Sequence, residues 1–334
     1  MHVLIWVTHL LGVGHFHRAV RIARGLVAEG ANVTIATGGF PLKNVRLGEF
    51  EVVQLDPVAS PDVTFKRLVG PDGNDIGDEV LKARRDALIE LARERRPAVI
   101  LTELFPFGRW KFRSELVPLI EDQRALAKPP AIVASIRDIL VPPKKPERLA
   151  VIRDLVTSYF DQILVHGDAD FVRLEETLPL AGEFAERVVY TGYVVPDHAP
   201  DTDPDVGVGE VVVSAGGSAF GGHLLKTAIE ARPDTTLGTA PWRVLVGQGL
   251  SEQAFRYACL YEADCAFELG LYAEAVDRYD EVATRFPRHH TSMTALIQIV
   301  NCYSNLGDTP RAQAAHRRAL LRLEALPDQA FEAP

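Results

Sequence analysis

The chain has 334 residues, a formal net charge of -9 at neutral pH and 47% hydrophobic residues, enough apolar material for two or three cores and too much for a disordered segment. The acidic balance argues against non-specific nucleic-acid binding, which needs basic surface to release counterions. It does not exclude small anions, since a few backbone amides or arginines bind a phosphate on an acidic protein.

The chain opens with an apolar run, His2 to Thr8, interrupted by glycine and histidine and lacking a basic leader, so it reads as a buried strand and not as a signal peptide. Ala19, Ile22, Ala23, Leu26 and Val27 then recur at helical spacing and predict a helix from near His15 to near Gly30. Val33 to Ala36 is the next strand. Strand, glycine turn, helix and strand in this order predict a parallel α/β sheet. The alternation continues through a strand at Val52 to Leu55, a helix stopped by Pro97, the strand AVILTE and the helix FRSELVPLIEDQRAL. The strand AIVASIRD, the helix RLAVIRDLVTSYF and the strand QILVHG complete it.

VPDHAPDTDPDVGVGE is rich in proline, aspartate and glycine and reads as a linker. A second α/β unit starts with the strand EVVVSAGGS, the helix GHLLKTAIEA and the strand PWRVLVG, then stops. From about Ser251 to Leu326 the pattern is almost continuously helical. The predicted organisation is an α/β domain over 1–195, a linker over 196–209, a truncated α/β unit over 210–247 and an all-helical region over 251–327.

The helical region falls into two pairs. Gly270, Ala275, Tyr279, Val282 and Pro287 mark the first, and Gly307, Ala312, His316 and Ala319 the second. This resembles the tetratricopeptide family, a helix-turn-helix unit of about 34 residues, over residues 253–327. The resemblance implies a peptide- or protein-binding surface, with purely structural packing as the alternative. Cys259, Cys265 and Cys302 show no paired spacing and are expected to be reduced and mostly buried. No apolar run reaches the roughly 18 residues of a membrane span, and a cytoplasmic location is the default expectation.

Candidate chemistry gathers at strand ends. Gly12-Val13-Gly14-His15 links the first strand to the first helix, where glycines admit a ligand and a helix start offers amides to an anion. It is not the GxGxxG dinucleotide pattern. Arg137 and Asp138 follow one strand, suited to holding a phosphate or to an internal ion pair; His166 ends another, before Gly167 and Asp168, and the same argument makes it a substrate-binding candidate; Glu103 ends a third, as an acceptor contact or a structural carboxylate. His17 reads as a surface or hinge residue, and Asp161 and Glu175 as surface or capping residues. Gly216, Gly217 and Ser218 end the first strand of the second unit and form the best local anion site.

The stretches THLLGVGHFHRA, SIRDIL (Ser135 to Leu140), FDQILVHGDADFVRLEETLP, VVYTGYV (Val188 to Val194) and SAGGSAFGGHLLKTAIEA together resemble bacterial two-domain glycosyltransferases of the GT-B type, related to the peptidoglycan enzyme that moves N-acetylglucosamine from UDP. The resemblance spans residues 2–247. It implies transfer of a sugar from a nucleotide-activated, UDP-linked donor to a hydroxyl acceptor, with no cofactor and no metal. It makes His15 a candidate base, Gly12 and Gly14 ligand-shaping residues, and Gly216, Gly217 and Ser218 the binders of the nucleotide diphosphate. His15 as a helix cap or loop filler is the alternative. The later donor-binding units of that family have no counterpart after Gly247, which leaves open a natural or artificial fusion and a non-catalytic adaptor carrying the helical repeats.

Overall fold

A computed structural model of the chain describes residues 1–42, 47–62, 64–143, 145–195, 207–216, 222–245 and 252–324. The chain divides into two compact units, Met1–Pro200 and Asp201–Pro334.

In the first unit seven parallel strands form one sheet: β1 (His2–Val7), β2 (Asn32–Thr37), β3 (Glu51–Gln54), β4 (Val99–Glu103), β5 (Ala131–Arg137), β6 (Gln162–His166) and β7 (Val188–Tyr190). Their spatial order is β3-β2-β1-β4-β5-β6-β7. The chain builds outward from β1 to β3, then returns to β4 and builds the other way. Because parallel crossovers are right-handed, this reversal puts helices on opposite faces. Helix α1 (Gly14–Ala28) covers one face, through Phe16, Ala19, Val20 and Ala23 against Val3, Ile5 and Val7. Helices α2 (Asp78–Arg95), α3 (Arg113–Arg124) and α4 (Pro146–Tyr159) cover the other, against Leu4, Trp6, Ile100 and Ile132. Acidic residues open α2 and arginines close it, matching the helix dipole, and Arg96 in the left-handed region then ends it before Pro97. A short helix, α5 (Leu174–Thr177), and a 3-10 segment, Pro179–Arg187, lead into β7; neither shows enough periodicity to be read from sequence.

The α2–α3 side holds a buried ion pair that reads as ordinary surface charge in the sequence. Arg84, fully buried, donates from Nε to Glu115 Oε2 at 3.1 Å and from Nη2 to Glu115 Oε1 at 3.1 Å. It also donates to the carbonyls of Gly38, at 3.1 Å, and Asp56 and to Thr8 Oγ1 at 3.3 Å. Trp6 Nε1 donates to Glu115 Oε1 at 3.3 Å. Gly38 is obligatory here, since a Cβ would occupy the place of the Arg84 guanidinium. Burial pushes the Glu115 carboxyl above its ordinary value, and Arg84 opposes that shift.

The second unit contains a parallel pair, β8 (Val211–Ser214) and β9 (Trp242–Leu245), joined through α6 (Gly222–Ala231). Helices α7 (Glu252–Glu268), α8 (Tyr272–Arg285), α9 (His290–Asn305) and α10 (Thr309–Glu324) follow. Gly270 and Gly307, at φ of +74° and +71°, make the turns between α7 and α8 and between α9 and α10. Small residues let the helices cross closely: Ala263, Ala266, Ala275, Ala283, Ala295, Ala315 and Ala319 line one core with Tyr279, Val282 and Ile299. Cys265 and Cys302 are buried, Cys259 is half-buried, and all three are free thiols. Cys265 Sγ donates to the Ile229 carbonyl at 2.9 Å, tying α7 to α6. Among the described residues no helix is long and apolar enough to cross a membrane.

Candidate active site

Strand alternation assembles the site. On the α1 side of the sheet, Leu101 of β4, Val133 of β5 and Leu164 of β6 pack into the apolar core. Two residues further along each strand, on the same face, stand Glu103, Ser135 and His166. Pairing of Glu103 with Ser135 and of Arg137 with His166 fixes these side chains as neighbours. The apolar stripe under α1 therefore turns polar at the carboxyl edge, beside the point where strand order reverses between β1 and β4. Open α/β sheets place ligands at this edge.

Glu103 is the hub. It is 1% exposed, and its Oε1 lies 2.8 Å from His15 Nδ1. Arg18, one helical turn after His15, contacts Oε1 through Nη2 and Oε2 through Nε at 3.4 Å. Ser135 Oγ donates to Oε2 at 2.7 Å and also lies 2.8 Å from His166 Nε2, while His166 Nδ1 is 2.7 Å from Thr191 Oγ1. Burial pushes the Glu103 carboxyl up, but the His15 hydrogen bond and the Arg18 charge outweigh it, so the group titrates below its ordinary value. Burial, with Arg18 adding to it against Glu103, pulls His166 down to about 4.

The loop after β4 adds a second cation. Leu104 and Arg109 both hold left-handed backbone, at φ of +69° and +55°, which costs about 1–2 kcal/mol each. Strain of this kind persists only where the surrounding structure holds it in place. Burial, opposed by the Glu103 charge, lowers Arg109 to about 10, so it stays a cation at neutral pH. His9, just past β1, donates from Nε2 to the Phe40 carbonyl at 3.0 Å and is lowered by burial. Val13 precedes α1 without a side-chain cap, so the positive end of that helix lies at the same edge.

Of the residues singled out in the sequence, His15, Glu103 and His166 join one network through Ser135. A Cβ at Gly12 or Gly14 would meet no atom of the described residues within 4 Å, and neither residue has a left-handed φ, so nothing among the described residues demands glycine there. Arg137 is exposed at the end of β5 and has no ion pair with Asp138 among the described residues. Asp138 instead accepts from the Ile139 amide at 2.9 Å and from the Tyr193 hydroxyl at 3.5 Å, and it packs so closely on Gly167 that a Cβ there would collide with it. His17 is half-buried beside Phe16. Asp161 accepts from the Ile132 amide and from Arg124, both at 2.7 Å, a structural role at the strand start. Gly216, at φ of +75°, follows β8; Gly217 and Ser218 lie outside the described residues. Arg18, Ser135, Thr191 and Arg109 escaped sequence reading. The only signal was a serine inside an otherwise apolar strand and an arginine three positions after a candidate base. Among the described residues no group of His, Cys, Asp and Glu side chains could hold a metal ion.

The neutral state of His166 has a measurable consequence. The unfolded imidazole takes up its proton near 6.5 and the folded one only near 4, so its stabilising contribution is complete above the first value and is lost as pH falls towards the second. Urea unfolding at about pH 7.5 and about pH 4.5 should show a loss of about 2.5 kcal/mol from this group, and His166→Gln should flatten that slope. A variant as acid-sensitive as the wild type would assign the loss to another group.

The strand order and the polar cluster at its reversal define a doubly wound α/β unit with a candidate site at the switch point. No family model and no curated protein matches the chain. Among solved structures it is similar to MurG of Acinetobacter baumannii, at 12% identity over 80% of this chain and 64% of that one, with a TM-score of 0.44. It is also similar to apo UGT2 of Phytolacca americana, at 17% identity over 70% and 62% of the two chains and a TM-score of 0.37. A third is SsfS6, a glycosyltransferase of Streptomyces sp. SF2575, at 12% identity over 98% and 97% and a TM-score of 0.38. The chain spans less than two thirds of the length of the first two.

Proposed function

We propose that the chain transfers a sugar from a nucleotide-activated donor, UDP-linked, to a hydroxyl acceptor, with His15 as general base. The observation that carries this reading is the 2.8 Å contact between His15 Nδ1 and Glu103 Oε1. An ionised carboxylate accepts, so Nδ1 carries the hydrogen and Nε2 keeps its lone pair. Nε2 takes the proton of the acceptor hydroxyl as its oxygen bonds to the anomeric carbon. The bond from that carbon to the diphosphate breaks, and the nucleotide leaves with the electron pair. Glu103 then stabilises the imidazolium that forms.

The resemblance of the glycine loops supports Gly12 and Gly14 as shaping the ligand site and Gly216, Gly217 and Ser218 as binding the nucleotide, while placement at strand ends supports Arg137, Asp138, Glu103 and His166 on the substrate side. Calorimetric titration with UDP tests the donor class. Micromolar binding is the expected result, and a folded, monodisperse sample giving no heat would sink the UDP reading. A second reading, a tetratricopeptide-like surface for a peptide or protein partner, draws on the two helical pairs α7–α8 and α9–α10 with their matching glycine turns. Partner capture that persists in the His15→Ala protein, with UDP silent, would favour it.

A further inference from the structure

The hydrogen bonds behind Glu103 run in one direction. With two contacts from Arg18 and one from His15, the Glu103 carboxylate is ionised and both its oxygens accept. The Ser135 hydroxyl has a single proton, and at 2.7 Å from Oε2 it must spend that proton there. Its oxygen is then an acceptor for His166 Nε2 at 2.8 Å, which makes His166 the Nε2–H tautomer. The opposite nitrogen, Nδ1, accepts from the Thr191 hydroxyl at 2.7 Å. That hydroxyl has alternatives in the Gly192 carbonyl at 3.0 Å and the Val165 carbonyl at 3.4 Å, both longer. Each group along β5, β6 and the end of β7 thus has one role, and the sum of those roles is a carboxylate turned so that Oε1 is presented to His15.

We propose that Ser135, His166 and Thr191 are positioning residues whose one-way hydrogen-bond chain orients Glu103 and thereby holds His15 as the Nδ1–H tautomer. The chain touches no reacting atom. Only its purpose, to leave His15 Nε2 bare towards a hydroxyl, rests on the transferase reading above. Without Ser135 the carboxylate is free to turn towards Arg18, and His15 reverts towards the Nε2–H form that an unconstrained imidazole prefers. His166 matters because its tautomer forbids the alternative in which Ser135 donates to it and faces Glu103 with a lone pair.

Long-range proton–nitrogen correlation spectra of the full chain, labelled with nitrogen-15 at histidine, read both tautomers directly and need no substrate. The expected wild-type result is His166 as Nε2–H and His15 as Nδ1–H, the latter favoured on the order of tenfold by its charge-assisted hydrogen bond. Ser135→Ala should bring His15 to a mixture of tautomers, whereas His166→Phe, which leaves Ser135 no acceptor but Glu103, should not. His166→Gln, whose amide still donates to Ser135, should likewise keep the wild-type pattern at His15. An Nδ1–H form of His166, or a dominant Nε2–H form of His15, in the wild-type protein overturns the proposal even if neither variant folds. So does a folded Ser135→Ala protein in which His15 is unchanged. The expected tautomers with no UDP binding would leave the positioning chain standing and remove the transferase reading alone.

Discussion

Glu103→Gln should lower the rate of sugar transfer by about 10³–10⁴-fold, the size expected when the carboxylate behind a catalytic histidine becomes an amide. The change is nearly isosteric, and Ser135 and Arg18 Nε can still donate to an amide oxygen at the Oε2 position, while Arg18 Nη2 loses its acceptor at Oε1. The amide nitrogen then faces His15 Nδ1 at the position of Oε1 and donates to it. That forces the proton onto Nε2, where the acceptor hydroxyl needs a lone pair. The loss should therefore fall on kcat with KM little changed, since the interaction matters most as the imidazolium forms. UDP affinity should be that of the wild type. His15→Ala should give a loss of similar size, and the double variant should be no worse than either single one, because the two groups act as a unit. Turnover assays with the donor chosen by titration decide it: a Glu103→Gln protein within about tenfold of wild type removes His15 as the base.

Arg84→Met should destabilise the first unit by about 3–5 kcal/mol, because it strands the Glu115 carboxylate in a site with no exposure. For a unit of this length the melting temperature should fall on the order of 10 °C. The damage comes from the partner left behind, not from the lost attraction. Arg84→Met combined with Glu115→Leu should therefore recover most of the stability, since an apolar pair of similar volume is often as stable as a buried ion pair. Recovery will be incomplete, because the Gly38 and Asp56 carbonyls and Trp6 Nε1 lose a partner in the double variant. Urea unfolding of the three proteins gives the comparison. A double variant as unstable as Arg84→Met would show that the carbonyl contacts, and not the buried charge, dominate.

The fold was far more legible than the site, for a physical reason. Periodicity is local, so the apolar positions of α1 and the short apolar runs of β1, β2, β4, β5 and β6 announce themselves within a dozen residues. Glu103 and His166 were found one at a time, as polar residues at the ends of apolar strands. Their connection was not readable, because it depends on which strands lie side by side and in what register. Ser135 has its meaning only when β5 is seen between β4 and β6. Arg84 illustrates the opposite failure. In GDEVLKARRDALIELARERRP one arginine among five attracts no notice, yet it is the one whose side chain points into the core. Periodicity placed it on a face, but the composition of that helix, rich in charge throughout, hid which arginine had a carboxylate waiting 31 positions later on α3.

Parallel strands carry a hazard of their own: β4, β5 and β6 are short, apolar and alike, and each could pair with its neighbour one residue out of step. A slip of β5 by one residue would turn Ser135 to the α3–α4 side, into the apolar cluster that holds Ile100, Ile163 and Leu116. It would also leave the Glu103 and His166 side chains facing Ala134 or Ile136 in place of a hydroxyl. The polar row formed by Glu103, Ser135 and His166 on three adjacent strands, with Thr191 just past β7, thus sets a penalty on a mispaired sheet, that of an unmet buried hydrogen bond. On that account Ser135→Val would be the substitution to watch in refolding experiments, since it removes that penalty while improving the strand, and the misaligned sheet becomes a competitor to the native one.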